Sequence, residues 1–249
     1  MPHPPHITHE RLAFPGDGAE VHGELFKPEN TTPLPGIVLL HDRYGVTDHV
    51  RDTARRLATH SYAVLAVDLF SRGDGVQQFP PTREQTRNMS LFPDERTIRD
   101  VQAALAQMRS RSDVDSTRIA LAGFSFGARY ALLTAGMGED VAAIIVYYAV
   151  IVYPQLHESR PRQPLSLIPA IKCPVMTLYG EKDWMVPVSQ VTFMESLLEG
   201  YGKVHECIRY PDQGHGFFNS TIKQYNEATA KDSFDKMLGF LDRHVKGKR

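Results

Sequence analysis

The strongest constraint on this chain is the run from Arg118 to Ala135. An apolar stretch, Ile119 to Ala122, leads into Gly123-Phe124-Ser125-Phe126-Gly127, and Ala128 to Ala135 continues with helical character. Strand, tight Gly-x-Ser-x-Gly turn and helix together make a corner that raises a serine hydroxyl above the end of a sheet. Glycines flank the serine because a Cβ there would collide in so sharp a turn, and the serine itself is expected to be strained. The first N–H groups of the helix aim at the same spot, which suits an anionic oxygen. The bare pattern is common by chance, so its weight comes from these flanks and from partners downstream.

The rest of the chain is the right size to carry such a corner. Its 249 residues, 42% of them hydrophobic, suffice for one sizeable core. The expected organisation is a disordered arm over residues 1–7 and a single domain over 8–249. The formal net charge is -1 and no basic stripe stands out, which argues against a nucleic-acid partner. The opening Met-Pro-His-Pro-Pro-His-Ile-Thr-His has neither a cationic nor an apolar leader segment. No apolar run approaches the ~20 residues of a membrane span. The expectation is a soluble cytoplasmic protein, monomer or homodimer, with no membrane partner. Cys173 and Cys207 form neither a disulfide framework nor a metal spacing and read as free thiols. His3, His6 and His9 lie in a Pro-rich terminus and read as solvated side chains, so no metal site is expected.

After residue 36, strands and helices alternate. Ile7 to Phe14 and Glu20 to Lys27 read as an antiparallel hairpin across Gly16-Asp17-Gly18. Gly36 to Leu40, Tyr62 to Val67, Val141 to Tyr147, Val175 to Tyr179 and Val204 to Tyr210 read as further strands. Asp48 is a candidate cap for a helix through Leu57. Asp94 to Arg109, Val188 to Leu198 and Lys223 to His244 complete the helices. Residues 71–93 lack periodicity, apart from a helical piece at Arg83 to Met89, and Tyr153 to Pro169 reads as a loop or lid. Alternation of this kind dictates a mainly parallel, doubly wound sheet with helices on both faces and the hairpin at its N-terminal end. Chemistry in such sheets sits on loops at the carboxyl ends of the strands. His41-Asp42-Arg43, Asp68, Ser125, Asp183 and His215 all follow strands and should therefore gather on one edge.

A serine hydroxyl needs a base within hydrogen-bond reach, and that base needs a carboxylate to fix its tautomer. His215, flanked by Gly214 and Gly216, is the chosen base. Asp183 is the chosen carboxylate, in the order Ser–Asp–His, with Asp212 and Glu181 as alternatives. His41 is read as shaping the loop after its strand. The oxyanion donors are expected to be the backbone N–H groups of Phe126 and Arg43. Phe124, Tyr147, Trp184 and Phe217 lie in or beside strand-end loops, as do Phe126, Tyr148 and Met185. Aromatic residues there serve either as core filler or as the wall of an apolar substrate pocket.

At this point the chain resembles the dienelactone hydrolase family, within the α/β-hydrolase fold. The resemblance rests on His41-Asp-Arg-Tyr-Gly45, Ala66-Val-Asp-Leu-Phe70, Gly123-Phe-Ser-Phe-Gly127, Tyr179-Gly-Glu-Lys-Asp183 and Tyr210-Pro-Asp-Gln-Gly-His-Gly-Phe-Phe218. It implies Ser125, Asp183 and His215 as a catalytic triad. It also implies hydrolysis of a small-molecule ester or lactone without metal or organic cofactor. Two positions depart from the family pattern: serine stands at 125 where the family usually has cysteine, and Asp42 stands where it usually has glutamate. Asp42 is left between pairing with Arg43 or Arg51 and orienting the oxyanion loop. The family holds its lactones' carboxylate with arginines; Arg83, with Arg87 as a rival, resembles one of them. The second would fall near Asn219, which carries no charge. Besides a serine esterase, the pattern admits a peptidase or acyltransferase on the same triad, or a binding protein on a hydrolase scaffold.

Overall fold

The computed structural model describes residues 5–29, 32–71 and 92–247. Strands β1 (Ile7–Pro15) and β2 (Glu20–Pro28) form the antiparallel hairpin, in register from Ile7 opposite Pro28 to Pro15 opposite Glu20. Ile7, expected in the arm, thus already belongs to the sheet. β3 (Leu34–Leu40), β4 (Ala63–Asp68), β5 (Val114–Phe124), β6 (Ile144–Tyr147), β7 (Val175–Gly180) and β8 (His205–Tyr210) follow. Their order across the sheet is β1-β2-β4-β3-β5-β6-β7-β8. β2 runs antiparallel to β4, and every pair from β4 to β8 is parallel. The chain has the α/β-hydrolase fold.

The strands at the centre are apolar throughout because both faces are covered: every residue of β3, β6 and β7 is buried. Helices α1 (Asp48–Thr59) and α5 (Glu227–Leu241) pack together, with the Arg56 guanidinium 3.9 Å from the centre of the Phe234 ring. Helices α2 (Asp94–Arg109), α3 (Phe126–Gly136) and α4 (Val188–Gly200) form a second group, joined by a 3-10 helix at Pro164–Ala170. α2 buries Ile98, Val101, Leu105 and Met108, the stripe its periodicity predicts. α3 is buried along its whole length, which explains its run of small and apolar residues. Among the described residues no helix is long and apolar enough to cross a membrane.

Several boundaries differ from the sequence-based expectation, each for a local reason. Thr47, not Asp48, occupies the N-cap position of α1, without a side-chain cap bond, and Asp48 lies in the first turn, where its charge favours the helix dipole. α5 starts at Glu227 rather than Lys223, because the Asn226 side chain accepts the Thr229 N–H at 2.9 Å and fixes the start there. It ends at Leu241, where a π-turn takes over Asp242–Lys246. The expected lid, Tyr153 to Pro169, is anchored. The Tyr153 hydroxyl donates to Asp94 at 2.9 Å, Asp94 N–H donates to the Ser159 carbonyl at 2.7 Å, and Leu165 and Ile168 are buried. The helical piece expected at Arg83 to Met89 lies outside the described residues.

Candidate active site

The corner after β5 is built by close backbone approach. Ser125 adopts φ 47° and ψ -105°, a region that costs a non-glycine residue about 1–3 kcal/mol. Its N–H donates to the Tyr147 carbonyl at 2.9 Å, and the Gly127 N–H donates to the His41 carbonyl at 3.0 Å. A Cβ on Gly127 would fall 2.4 Å from that same His41 oxygen, so only glycine lets α3 start against the loop after β3.

The parallel sheet brings three side chains to this corner. Ser125 Oγ lies 2.8 Å from His215 Nε2, and His215 Nδ1 lies 2.8 Å from Asp183 Oδ2. The other Asp183 oxygen accepts the N–H groups of Met185 at 2.7 Å and Val186 at 3.1 Å, so the turn after β7 holds the carboxylate in orientation. With Nδ1–H given to Asp183, Nε2 is left as the acceptor that faces the serine hydroxyl. The turns carrying Asp183 and His215 are joined main chain to main chain: Lys182 N–H donates to the Gln213 carbonyl at 2.8 Å and Glu181 N–H to the Tyr210 carbonyl at 2.9 Å. Gly180 makes this possible, since a Cβ there would lie 2.2 Å from the Gln213 oxygen. The two alternative carboxylates point elsewhere. Asp212 is exposed and bonds Lys182 at 2.7 Å, and Glu181 is exposed.

The loop after β3 closes the site from the other side. Buried His41 donates from Nδ1 to the Asp42 carbonyl at 2.5 Å and accepts the Leu69 N–H on Nε2 at 3.0 Å. That pair of bonds fixes a neutral tautomer and shapes the loop. Asp68 also lies 3.7 Å from His41 Nε2, too far for a hydrogen bond, so the Leu69 contact governs. Among the described residues, neither the Phe126 nor the Arg43 N–H is spent on a protein acceptor.

Asp42 does not pair with Arg43 or Arg51, contrary to the first of its two expected roles. Arg51 turns to Glu24 at 2.8 Å, and Arg43 donates to the Tyr44 hydroxyl at 2.8 Å while stacking over its ring. The buried Asp42 carboxylate instead accepts the Tyr44 N–H at 2.9 Å and the Asn219 amide at 2.7 Å. Burial raises its pKa above the usual range, and those two hydrogen bonds pull against the rise. Asn219 is fully buried, and its own oxygen accepts from the Thr221 N–H and hydroxyl. It clasps the loop after His215 to the loop after β3. Sequence reasoning noticed Asn219 only as a missing charge; its position directly after Phe217-Phe218, in the segment carrying the base, was the available signal.

A cavity of about 60 Å³ opens beside Ser125 and His215, walled by Asp42, Arg43, Tyr148, Trp184, Met185 and Ile222. Trp184 stands at its rim, 76% exposed. Tyr148 combines φ 39° with a buried hydroxyl that has no hydrogen-bond partner among the described residues, and its ring lies 5.0 Å from that of His215. Phe124, Tyr147 and Phe217, expected as possible pocket residues, are buried in a stacked aromatic layer beneath the site and do not line the cavity. The Tyr147 hydroxyl is taken by the Ser233 carbonyl at 3.0 Å. Arg83 and its rival Arg87 lie outside the described residues. A second groove of about 550 Å³ lies along β1 and β2, lined by Arg11, His22 and Glu24, and shares Tyr44 with the cavity at the serine.

Comparison with known proteins adds relatives to this geometry. The model of the dienelactone hydrolase family matches residues 21–245. A Yersinia pestis protein provisionally named a carboxymethylenebutenolidase is 28% identical over 233 residues, spanning 93% of this chain and 86% of that protein. A crystal structure of a provisionally assigned dienelactone hydrolase from Klebsiella pneumoniae subsp. pneumoniae superposes with TM-score 0.88 at 25% identity, covering 95% of this chain and 98% of the other. An acylaminoacyl peptidase from Pyrococcus horikoshii shares the fold at TM-score 0.78 and 16% identity, with 98% of this chain matching 42% of that one.

Proposed function

The chain belongs to the dienelactone hydrolase family and is a hydrolase, and from that premise we propose that it cleaves small carboxylic esters or lactones through an acyl-enzyme on Ser125. The observation that carries this reading is the proton line from Ser125 through His215 to Asp183, with both links at 2.8 Å. His215 Nε2 takes the hydroxyl proton as Oγ attacks the carbonyl carbon. The resulting oxyanion is met by the Phe126 and Arg43 N–H groups, each worth about 3 kcal/mol of transition-state stabilisation. His215 then hands its proton to the leaving alkoxide, which departs as alcohol. Water repeats the sequence: its proton goes to His215, its oxygen to the acyl carbon, and Ser125 Oγ leaves with the proton returned. Asp183 stays ionised throughout and balances the imidazolium. The reading takes residues 8–249 as one catalytic domain.

Ser125→Ala is expected to lower turnover of 4-nitrophenyl acetate by at least about a thousandfold. Turnover close to that of the wild type would reject the proposal, as would failure of a fluorophosphonate to label the folded wild-type protein. A peptidase on the same triad is the second reading, favoured by the shared fold of the Pyrococcus peptidase. Comparing an amide with the matching ester separates the two.

A further inference from the structure

Asp42 is 4% exposed, lines the cavity beside Ser125, and enters no ion pair among the described residues. Buried carboxylates are ordinarily paired with a cation or fully hydrogen-bonded. Here each oxygen accepts one neutral donor, the Tyr44 N–H and the Asn219 amide. A carboxylate has about four acceptor positions, so two remain. The charged or chargeable neighbours do not fill them. Both ring nitrogens of His41 are already engaged, Nδ1 with the Asp42 carbonyl and Nε2 with the Leu69 N–H. The Nδ1–H of His215 belongs to Asp183, and the Arg43 guanidinium is turned onto Tyr44. The space left in front of Asp42 is small: about 60 Å³, with Met185 and Ile222 as its apolar part. That is room for about two water-sized groups in all, so a bound acyl group can bring only a small substituent there.

We propose that Asp42 is the specificity determinant on the acyl side of the site and accepts a hydrogen bond from a hydroxyl on the carbon next to the ester carbonyl. The preferred substrates are then esters of short 2-hydroxy acids. This inference rests on the serine-esterase reading above. A methyl group in the same place would leave the carboxylate incompletely satisfied and offer no donor. An ammonium would donate, but it would share the cavity with Arg43.

The test uses the full-length enzyme and the phenyl esters of lactic acid, isobutyric acid and alanine, which carry hydroxyl, methyl and ammonium at one carbon. Hydrolysis is followed by acid release, with active sites counted by fluorophosphonate labelling. The lactate ester is expected to exceed the isobutyrate ester in kcat/KM by about ten- to a hundredfold, the range of a hydrogen bond to a charged group. In Asp42→Ala that ratio, taken per labelled active site, falls towards one whatever the absolute turnover of the two esters. If that variant does not fold, the wild-type ratio and Asp42→Asn, which keeps the volume, decide. A wild-type ratio near one, or a preference for the alanine ester, overturns the inference and leaves the serine esterase standing. No labelling and no turnover of any ester overturns both.

Discussion

Two regions of one cavity are built in opposite ways. Along the line Ser125–His215–Asp183 every polar atom described has a partner, and the acid is held further by two backbone N–H groups. Across the cavity, among the described residues, Asp42 is only partly satisfied and the buried Tyr148 hydroxyl has no partner. The difference teaches how the site divides its work. A fully paired network is rigid and carries its protons along one route, whereas an incompletely paired wall has capacity left for a ligand.

The contrast can be broken most sharply at its paired end. Asp183→Asn should lower kcat for a phenyl ester by about a thousand- to ten-thousandfold with the fold intact, because the amide reverses the tautomer of His215. A variant that keeps more than a tenth of the activity would show that the paired line is not the reaction's proton route. The next largest effect concerns His49, beside β5, whose buried Nε2 has no partner among the described residues and whose ring packs on Phe124 and Phe218. Burial, aided by the charge of Arg56, lowers its pKa to about 4. The unfolded chain therefore binds this proton first as pH falls below about 6.5. Stability is fully present above that value and declines as pH falls towards about 4, by about 2 kcal/mol at pH 5. Urea unfolding at pH 7.5 and pH 5 should show this loss, and His49→Leu should flatten it.

Smaller effects sharpen the picture of the unpaired wall. Asn219→Ala strips one donor from buried Asp42 and should cost about 1–3 kcal/mol of unfolding free energy, read by denaturant titration. Its neighbour Thr221 loses its acceptor as well. Unchanged stability would mean that the clasp between the two loops is replaced by water at no cost. Tyr148→Phe should act in the opposite direction and stabilise the protein by about 1 kcal/mol, since it removes a hydroxyl that is buried without a partner. A loss of stability instead would place an unseen partner at that hydroxyl.

Much of this was legible in the sequence, and for a definite reason. Parallel strands put their following residues on one edge, so Ser125, Asp183 and His215 could be brought together without knowing any distance. The aromatic residues were harder. Phe124, Tyr147 and Phe217 sit within or beside the same motifs as the site, yet their side chains are buried; Phe124 and Tyr147 end strands whose alternation sends neighbours to opposite faces, and Phe217 lies in a turn that no periodicity describes. The partner of Asp42 was not legible at all. Asn219 reaches it from 177 positions away, after a loop whose path no periodicity describes. The start of α5 was hidden for a similar reason: Asn226 caps it, but the apolar pattern also runs through the preceding turn.

The joined main chains at Gly180 and Gln213 have a mechanical consequence. Asp183 and His215 ride on turns bonded main chain to main chain, so backbone motion carries the two together. A backbone displacement at the site therefore falls between this joined piece and Ser125, which is mounted on a separate corner. Inhibitors that work by prying the machinery open should therefore leave the imidazole still leaning on its acid.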